Sequence, residues 1–341
     1  MIDLRSDVHA PPTDEMWDAM RSAELGWATV GEDPSVNELQ ERVAGLLGKE
    51  AGLWVPTCGM ANLVALLTIA PRGSTVVLEA SSHVLTSEAM GIEEVAGLEP
   101  WSLWAEDGRL HPVEVEEAIV ETRALMLVLE NTHTRAGGTV LSPELTAELA
   151  AAAQRHGAYV HLDGARLFNA AVASGVPAAQ IARHADTVTI CLSKGLGCPL
   201  GALVAGSSEL MRRARRYKHL FGGAMRQAGI VAAAGVYALD HHVDRLAEDH
   251  TRAKRLADGL AAAGMPVQPE NVETNFVQID VEPLGLTAAD ALERLHQVGV
   301  GLSATVHPTR LRAVTHLDVS DDDIDRAIDL VPEALGVLAR A

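Results

Sequence analysis

Ile190-Cys191-Leu192-Ser193-Lys194-Gly195-Leu196-Gly197 is the most informative segment of this sequence, because an apolar strand leads directly into a lysine and two glycines. Lysine is scarce, with only Lys49, Lys194, Lys218 and Lys254 in the chain. A lysine that reaches past a strand end to water is one explanation. At the carboxyl end of a parallel strand, however, burial disfavours the ammonium. We therefore expect the pKa of Lys194 to be lowered enough for its amine to condense with an aldehyde.

Apolar runs of strand length on both sides of this segment alternate with amphipathic stretches such as 143–156. Most of these runs lack polar alternation, as expected for strands whose two faces are both covered by helices. The predicted strands are 52–56, 75–79, 124–130, 158–162, 186–192 and 201–205. The pattern predicts an α/β fold with a mostly parallel central sheet.

The remaining sequence suggests two further regions. Residues 1–30 lack clear periodicity and are expected to form an N-terminal arm with a short helix. A helical pattern runs through 224–260, and a smaller α+β region follows. Its predicted elements are strands at 275–280 and 312–319 and helices at 287–297 and 321–341. We therefore divide the chain into an arm (1–30), a large domain (31–245) and a small C-terminal domain (246–341).

Composition excludes several classes of partner. The 341 residues carry a net charge of −19 without a basic run, which argues against nucleic acid and anionic membranes. The longest apolar stretch, 60–70, is too short to span a bilayer, and the chain opens with charged residues rather than a signal peptide. Cys58, Cys191 and Cys198 indicate neither a disulfide framework nor a metal site. We expect a cytoplasmic protein that acts on a small molecule.

An acidic residue stands at the tip of another predicted strand, in Ala158-Tyr159-Val160-His161-Leu162-Asp163-Gly164-Ala165-Arg166. A carboxylate there can pair with a protonated pyridine nitrogen, and this pairing makes pyridoxal 5′-phosphate a strong electron sink. A helix N-cap is the alternative role for Asp163. A lysine and an acid at two strand ends together favour a pyridoxal phosphate site.

A third feature fits the phosphate of that cofactor. In Val55-Pro56-Thr57-Cys58-Gly59-Met60-Ala61-Asn62, a strand passes through a short polar turn into an apolar helix. The free N–H groups of a helix N-terminus bind phosphate. Many α/β turns look alike, so the turn gains weight only from the lysine and the acid.

Two long segments are more specific: 163–171, Asp-Gly-Ala-Arg-Leu-Phe-Asn-Ala-Ala, and 225–229, Met-Arg-Gln-Ala-Gly. On these residues the sequence resembles the L-threonine aldolase family, of the low-specificity or L-allo-threonine type, within the fold type I pyridoxal phosphate enzymes. Further matching segments are 4–7, 31–34, 130–133, 137–138, 161–169, 191–197, 222–229 and 314–316. The resemblance extends over nearly the whole chain and implies a fold type I, transferase-like architecture.

The resemblance also implies roles for individual residues. Lys194 would form a Schiff base with the cofactor, Asp163 would hold its pyridine nitrogen, and His83 would stack on its ring. The implied cofactor-binding residues are Thr57, Cys58, Gly59, His83, Asp163, Arg166, Lys194 and Arg226, the last approaching the phosphate of a neighbouring subunit. The implied catalytic residues are Lys194, His133, His83 and Asp163. Ser6, Arg166 and Arg312 match positions that hold the substrate carboxylate.

The implied reaction is retro-aldol cleavage of an L-β-hydroxy-α-amino acid to glycine and an aldehyde. His133 matches a position close to the substrate β-hydroxyl, and a neutral imidazole with a pKa near ~6.5 could accept the hydroxyl proton there. The alternatives are a β-eliminating lyase or an aminotransferase of the same fold, or a cofactor-binding protein without turnover. The resemblance further implies a homodimer or homotetramer whose sites are shared, with the Ser6 arm and the Arg226 segment reaching across.

Several positions depart from the family pattern. Val30 replaces a tyrosine, Thr57-Cys58-Gly59 replaces Ser-Gly-Thr, and Thr86 and Ser87 stand where aromatic residues are common. The lost aromatic bulk suggests a roomier pocket around the β-substituent. We therefore hypothesise that substituents larger than methyl are accepted.

Overall fold

The computed structural model describes residues 1–88 and 90–337 and confirms the α/β architecture with a mostly parallel sheet. In the described part of the chain, the large sheet has the strand order β2-β8-β7-β6-β5-β3-β4. Its strands are β2 (Ala51–Val55), β3 (Thr75–Glu79), β4 (Glu99–Leu103), β5 (Met126–Glu130), β6 (Tyr159–Gly164), β7 (Thr187–Cys191) and β8 (Ala202–Gly206). The pairs from β4 to β7 are parallel, whereas β8 is antiparallel to both β7 and β2.

Strand β4 was not predicted from the sequence. It lies at the sheet edge, where the polar and half-exposed segment Glu-Pro-Trp-Ser-Leu pairs with β3 on one side only. Proline is tolerated at such an edge because its missing N–H leaves no partner unsatisfied. The predicted strands are the buried ones, since an apolar run marks burial on both faces.

Two smaller sheets accompany the C-terminal region. One contains β9 (Phe276–Asp280), β11 (Ser303–Ala304) and β12 (Arg310–Val314), and the other pairs β1 (Ile2–Asp3) with β10 (Val300–Gly301). Ile2 and Leu4 belong to the C-terminal hydrophobic core. The first residues of the predicted arm thus pack with the far end of the chain, and the division into three regions stays a prediction.

Helices cover the large sheet and the small sheets. They are α1 (Asp14–Arg21), α2 (Pro34–Leu46), α3 (Cys58–Ile69), α4 (His83–Thr86), α5 (Pro112–Thr122), α6 (Pro143–Gln154), α7 (Leu167–Ser174), α8 (Ala178–Ala182), α9 (Ser208–Leu220), α10 (Gly229–His241), α11 (Leu246–Ala262), α12 (Ala288–Gln297) and α13 (Asp321–Leu335). The α13 prediction extended into 338–341, which lies outside the described residues. None of the helices in the described ranges combines the length and apolar character that crossing a bilayer requires.

The helical pattern of 224–260 is not one helix, so that prediction is wrong. Helix α10 ends at His241 and α11 starts at Leu246. His242 turns inward, is buried, and its Nδ1 lies 2.8 Å from the carbonyl oxygen of Leu196 in the loop after Lys194. The break thus packs an imidazole against the lysine loop, a contact that helical periodicity cannot reveal.

The predicted strand 312–319 is also too long, because β12 ends at Val314. The buried Thr315 next to it donates its hydroxyl to the Asp249 carbonyl at 2.6 Å, and its N–H bonds to the Asn275 carbonyl.

Candidate active site

The carboxyl ends of the central strands bring the predicted site residues to one edge of the sheet. The register aligns Glu130 of β5 with Asp163 of β6, and Asp163 with Thr189 of β7. Strand β7 ends at Cys191, and Lys194 follows in the next loop. Ligands of open α/β sheets bind outside these carboxyl ends.

Asp163 is buried and accepts hydrogen bonds from Asn62 Nδ2 at 2.9 Å and from the Ala165 N–H at 3.1 Å. Asn62 lies on α3, and its amide nitrogen also donates to Glu88 Oε1 at 2.8 Å. One side-chain amide therefore joins two carboxylates. It fixes the position of Asp163 without neutralising its charge.

Two contacts to its oxygen atom fix the orientation of the Asn62 amide. Its Oδ1 accepts from Thr189 Oγ1 at 2.7 Å and contacts His161 Nε2 at 3.2 Å. Burial lowers the pKa of His161 to about 4, so the ring is neutral. Since the Thr187 hydroxyl lies 2.9 Å from Nδ1, the ring can donate from Nε2 to Asn62. Two donors on Oδ1 leave the NH₂ group directed at the carboxylates.

The turn before α3 lines the same space. Thr57 caps the helix by accepting the Met60 N–H at 3.2 Å, which leaves Cys58 and Gly59 in the first helical turn. The Glu88 carboxyl lies 3.6 Å from the position that a Gly59 Cβ would occupy, and His83 Nδ1 is 3.3 Å from Glu88 Oε1. Because Glu88 reaches both this turn and Asn62, which bonds to Asp163, the helix N-terminus and Asp163 lie close together.

The environment of Lys194 differs from the expectation in one respect. Burial and the Arg166 charge lower the pKa of Lys194, but attraction to Cys191, Cys58 and Asp163 outweighs them and the pKa is raised. The predicted lowering was wrong because sequence reasoning counted desolvation and not the anions around the amine. Lys194 lies close enough to Asp163 for that carboxylate to contribute to the raised pKa.

Arg166 is buried and already forms an ion pair with a carboxylate. Its Nε and Nη2 donate to the two carboxylate oxygens of Asp7, each at 2.7 Å, and Nη1 donates to Thr134 Oγ1 at 3.2 Å. Its guanidinium carbon also lies 4.8 Å from the ring centre of Phe276. Asp7 holds the planar fork of Arg166 in the way that a bound carboxylate would.

This contact places the start of the arm. Ser6 precedes Asp7, and Asp7 binds Arg166 of its own chain. The expected reach of the Ser6 arm to a second subunit stays a prediction. The Ser6 hydroxyl accepts the Val8 N–H at 3.5 Å, a local cap.

Arg312 makes fewer and longer hydrogen bonds than Arg166. It donates to Ser303 Oγ at 3.2 Å and to the Arg5 carbonyl at 3.5 Å, and no ion pair joins it to a carboxylate in the described part of the chain. Burial, and then repulsion from Arg166, lower the pKa of Arg312 to about 10. A guanidinium whose charge is disfavoured in this way gains from an incoming anion.

His133 is buried in an acidic pocket. Its Nε2 lies 3.0 Å from Glu79 Oε2 and 3.9 Å from Glu130 Oε2, and its Nδ1 accepts the Ala136 N–H at 3.3 Å. Burial lowers the pKa of His133, yet Glu130 and the bond to Glu79 raise it more. The expectation of an ordinary pKa is therefore wrong, because the pKa of His133 is raised.

One predicted site residue, Arg226, makes its hydrogen bonds away from Asp163 and Lys194. Arg226 is exposed, and its Nη1 donates to Thr29 Oγ1 and to the Ala224 carbonyl, both at 3.3 Å. Its expected role at a neighbouring subunit's phosphate stays a prediction.

Sequence reasoning missed Asn62, Asp7, Glu79 and Glu88 as site residues. Asn62 is the polar interruption of the apolar run 60–70, and that interruption was a usable signal. The three acids carry no local signal, because their importance depends on the arginine, histidine and amide that folding brings to them.

Comparison with known proteins defines the class. Residues 3–282 match the family model described as beta-eliminating lyase. The chain is 37% identical over 345 residues to low-specificity L-threonine aldolase 1 of Arabidopsis thaliana, covering 98% of this chain and 96% of that protein. It is 39% identical over 330 residues to the low specificity L-threonine aldolase of Escherichia coli K12, covering 95% and 96%.

The chain therefore belongs to the low-specificity L-threonine aldolase family, as the sequence resemblance indicated. A solved structure, the threonine aldolase of Leishmania major, superposes with a TM-score of 0.82 at 20% identity, covering 98% of this chain and 100% of that one. At that identity the likeness establishes the fold alone.

Proposed function

We propose that this protein is a pyridoxal 5′-phosphate-dependent carbon-carbon lyase that cleaves L-β-hydroxy-α-amino acids to glycine and an aldehyde. The observation that carries the proposal is the proximity of Lys194, the buried Asp163 and helix α3 at the carboxyl edge of the sheet, in a chain of this family. When bound, the cofactor supplies the electron sink for the pair left at Cα.

The donor set fits that cofactor. Asp163 offers a fixed carboxylate for a pyridine nitrogen, and His83 offers an imidazole face beside it. Cys58 and Gly59 offer the N–H groups of a helix N-terminus to a phosphate. We assign Lys194, Asp163, His83, Thr57, Cys58 and Gly59 to the cofactor on this basis.

The substrate carboxylate is assigned to Arg312, with Arg166 beside it. Arg166 is paired with Asp7, whereas the Arg312 guanidinium bonds to neutral acceptors among the described residues. Phe276 lies 4.8 Å from the Arg166 guanidinium carbon and 5.5 Å from that of Arg312, so one ring supports both groups. Arg312 thus binds and orients the amino acid so that the Cα–Cβ bond is the bond that breaks.

His133 is assigned as the proton acceptor for the β-hydroxyl. Glu79 bonds Nε2 and selects the tautomer with its proton there, leaving the Nδ1 lone pair as the base. The Ala136 N–H at 3.3 Å is a long bond that a substrate hydroxyl can displace. Glu79 and Glu130 stabilise the imidazolium that forms.

The function is tested by incubation of the cofactor-loaded protein with L-threonine. Cleavage yields glycine and acetaldehyde, β-elimination yields ammonia and a keto acid, and transamination requires an acceptor. We expect glycine and acetaldehyde in equal amounts. Ammonia release without aldehyde would replace the proposed reaction by elimination.

The positions that depart from the family pattern lead us to expect a substrate preference. Val30, Thr86 and Ser87 lack aromatic bulk, and Ser87 instead accepts a hydrogen bond from Arg135 at 2.9 Å. We expect kcat/KM to be higher for an aryl β-substituent than for threonine, and Val30→Tyr to narrow that difference. Equal kcat/KM for threonine and bulkier β-hydroxy amino acids would remove the preference.

We expect Glu79→Gln to shift the pH profile of the reaction. Activity requires the deprotonated base, so it falls as the pH drops through the raised pKa of His133. Glutamine keeps a hydrogen-bond acceptor but removes the charge, so the acid limb of kcat/KM should move down by roughly 1 pH unit. Asp107→Asn, which changes an exposed acid paired with Arg109, is the control. An unchanged acid limb would assign proton transfer to another group.

The assembly proposed is a homodimer or homotetramer in the cytoplasm. The Ala28 N–H bonds to the Arg226 carbonyl at 2.8 Å, and the segments around this bond expose Trp27, Val30 and Leu220. Exposed apolar side chains in one region favour subunit contact. This surface would bring Arg226 to a second subunit.

A further inference from the structure

Arg135 is a half-buried arginine two residues after the assigned base His133, and the proposed function gives its side chain no role. Its Nη2 donates to Ser87 Oγ at 2.9 Å, and its carbonyl accepts from Gln278 Nε2 at 3.2 Å. No ion pair joins it to a carboxylate among residues 1–88 and 90–337. The guanidinium therefore faces a neutral hydroxyl at a point where an anion would bind it more strongly.

The backbone of Arg135 is held next to Arg312, the residue assigned to the substrate carboxylate. Gln278 of β9 and Arg312 of β12 are directly opposite each other in the antiparallel register, so their side chains lie on the same face of the small sheet. The Gln278 side chain binds the Arg135 carbonyl. The charges interact as well, because the pKa of Arg312 is lowered by burial first, then by Arg166, and also by Arg135.

The guanidinium of Arg135 is held at the helix that starts with His83. Ser87 follows α4, and its N–H bonds to the His83 carbonyl at 2.9 Å. Ser87 stands where aromatic residues are common in the family, and its hydroxyl accepts the hydrogen bond from Arg135. Arg135 thus extends from the residue opposite Arg312 to the helix that carries His83, which is assigned to the cofactor ring.

The site contains more unpaired positive charge than one substrate carboxylate can neutralise. Three of its acids are already bonded, namely Asp7 to Arg166, Glu79 to His133 and Glu88 to Asn62. In the described ranges, Arg312 and Arg135 both bond to neutral acceptors and not to a carboxylate. Two such guanidiniums are complementary to a substrate with two anionic groups.

We propose that Arg135 binds an anionic β-substituent, so that among β-substituents of equal size the protein prefers one that carries a carboxylate. This inference rests on the proposed function and names the substrate class of the same site. Arg312 would hold the α-carboxylate, and Arg135 would hold the second carboxylate through the two parallel hydrogen bonds that a planar guanidinium offers.

The simplest such substrate is β-hydroxyaspartate, whose cleavage gives glycine and glyoxylate. His133 takes the β-hydroxyl proton, the Cα–Cβ bond breaks, and the hydroxyl oxygen becomes the carbonyl oxygen of glyoxylate. The electron pair of the broken bond stays with Cα, which then takes a proton to give glycine. Nothing is oxidised or reduced beyond the established retro-aldol balance, so the step needs no further reactant.

The experiment compares β-hydroxyaspartate with β-hydroxyasparagine, which has nearly the same shape but no charge on the β-substituent. We expect wild type to favour the acid by about tenfold or more in kcat/KM, because a charge-assisted bond replaces a neutral one. Arg135→Gln should reduce this ratio to about one. Arg135→Lys keeps the charge without the planar fork and should give an intermediate ratio. A change that slows both substrates equally cancels in the ratio.

A control variant and a binding measurement accompany the kinetics. Arg155→Gln changes an exposed arginine at the end of α6 that pairs with Glu116 of α5, and it should keep the wild-type ratio. Calorimetry with L-aspartate and L-asparagine, which lack the β-hydroxyl, measures the same preference without turnover. Aspartate should bind more tightly than asparagine to the cofactor-loaded wild type, and Arg135→Gln should remove the difference.

The outcomes separate this inference from the proposed function. Cleavage of threonine with equal kcat/KM for the acid and the amide would leave the proposed function standing and overturn the inference. An acid-to-amide ratio unchanged in Arg135→Gln would also overturn it. If no β-hydroxy amino acid is cleaved, the proposed function fails, and the relative affinities of aspartate and asparagine still decide whether Arg135 recognises the anion.

Discussion

Lys194→Ala is expected to abolish covalent retention of the cofactor and to lower kcat/KM for β-hydroxy amino acids by at least about 1,000-fold. Lys194 is the lysine whose amine is influenced by Asp163, Arg166 and the two thiols at the strand edge. The other three lysines have different contacts: Lys49 donates to the Ala185 carbonyl, Lys218 lies over the Trp54 ring and Lys254 pairs with Asp258. The remaining activity would come from substrate binding by Arg312 and the surrounding residues.

The measurement combines absorbance with chemical trapping. Wild type loaded with pyridoxal phosphate and reduced with borohydride should yield a peptide in which the cofactor is attached to Lys194. Lys254→Ala serves as the control, because Lys254 is exposed and paired with Asp258. Borohydride labelling of another lysine in wild type, or retained activity in Lys194→Ala, would contradict the assignment.

The pH behaviour of Lys194 has a consequence for this experiment. Its pKa is raised in the free protein, so the amine is mostly protonated at neutral pH. Condensation requires the neutral amine, so cofactor loading should accelerate as the pH rises toward the pKa of the lysine. Attraction to Cys191, Cys58 and Asp163 is the cause of the raised pKa.

Sequence could predict the location of the site because the decisive features are local. A scarce lysine after a buried strand, an acid at another strand end and a turn entering an apolar helix each occupy fewer than ten residues. Parallel strands then bring their carboxyl ends together without further information. The fold followed from the same apolar runs, except at the polar edge strand β4.

The chemistry within the site could not be predicted, because it depends on contacts between distant segments. Asp7 occupies the Arg166 guanidinium across 159 residues, and Glu79 reaches His133 across 54. The signs of the pKa shifts of Lys194 and His133 depend on such acids. The inward turn of His242 against Leu196 is of the same kind, and a helical pattern alone predicts no break there.

The hydrogen bond between Asn62 and Asp163 allows the charge of Asp163 and its position to be tested separately. Asp163→Asn removes the charge that a pyridine nitrogen requires but keeps the shape of the side chain, so we expect kcat/KM to fall about 100-fold or more. Asn62→Ala keeps the Asp163 carboxylate and removes the amide that bonds to it at 2.9 Å and to Glu88 at 2.8 Å. We expect that variant to lose roughly 10-fold, in kcat more than in KM, because the charge-assisted bond that positions Asp163 is lost.

The absorbance of the bound cofactor distinguishes loss of the Asp163 charge from loss of the hydrogen bond that positions Asp163. Asp163→Asn should change the visible spectrum, since an unpaired pyridine nitrogen alters the electronic state of the ring, whereas Asn62→Ala should keep the wild-type band and weaken cofactor affinity. Thr189→Val offers a milder test, because it removes one of the two donors that orient the Asn62 amide. Its effect should fall below that of Asn62→Ala. Equal losses in Asp163→Asn and Asn62→Ala would mean that placement of the carboxylate, rather than its charge, limits the reaction.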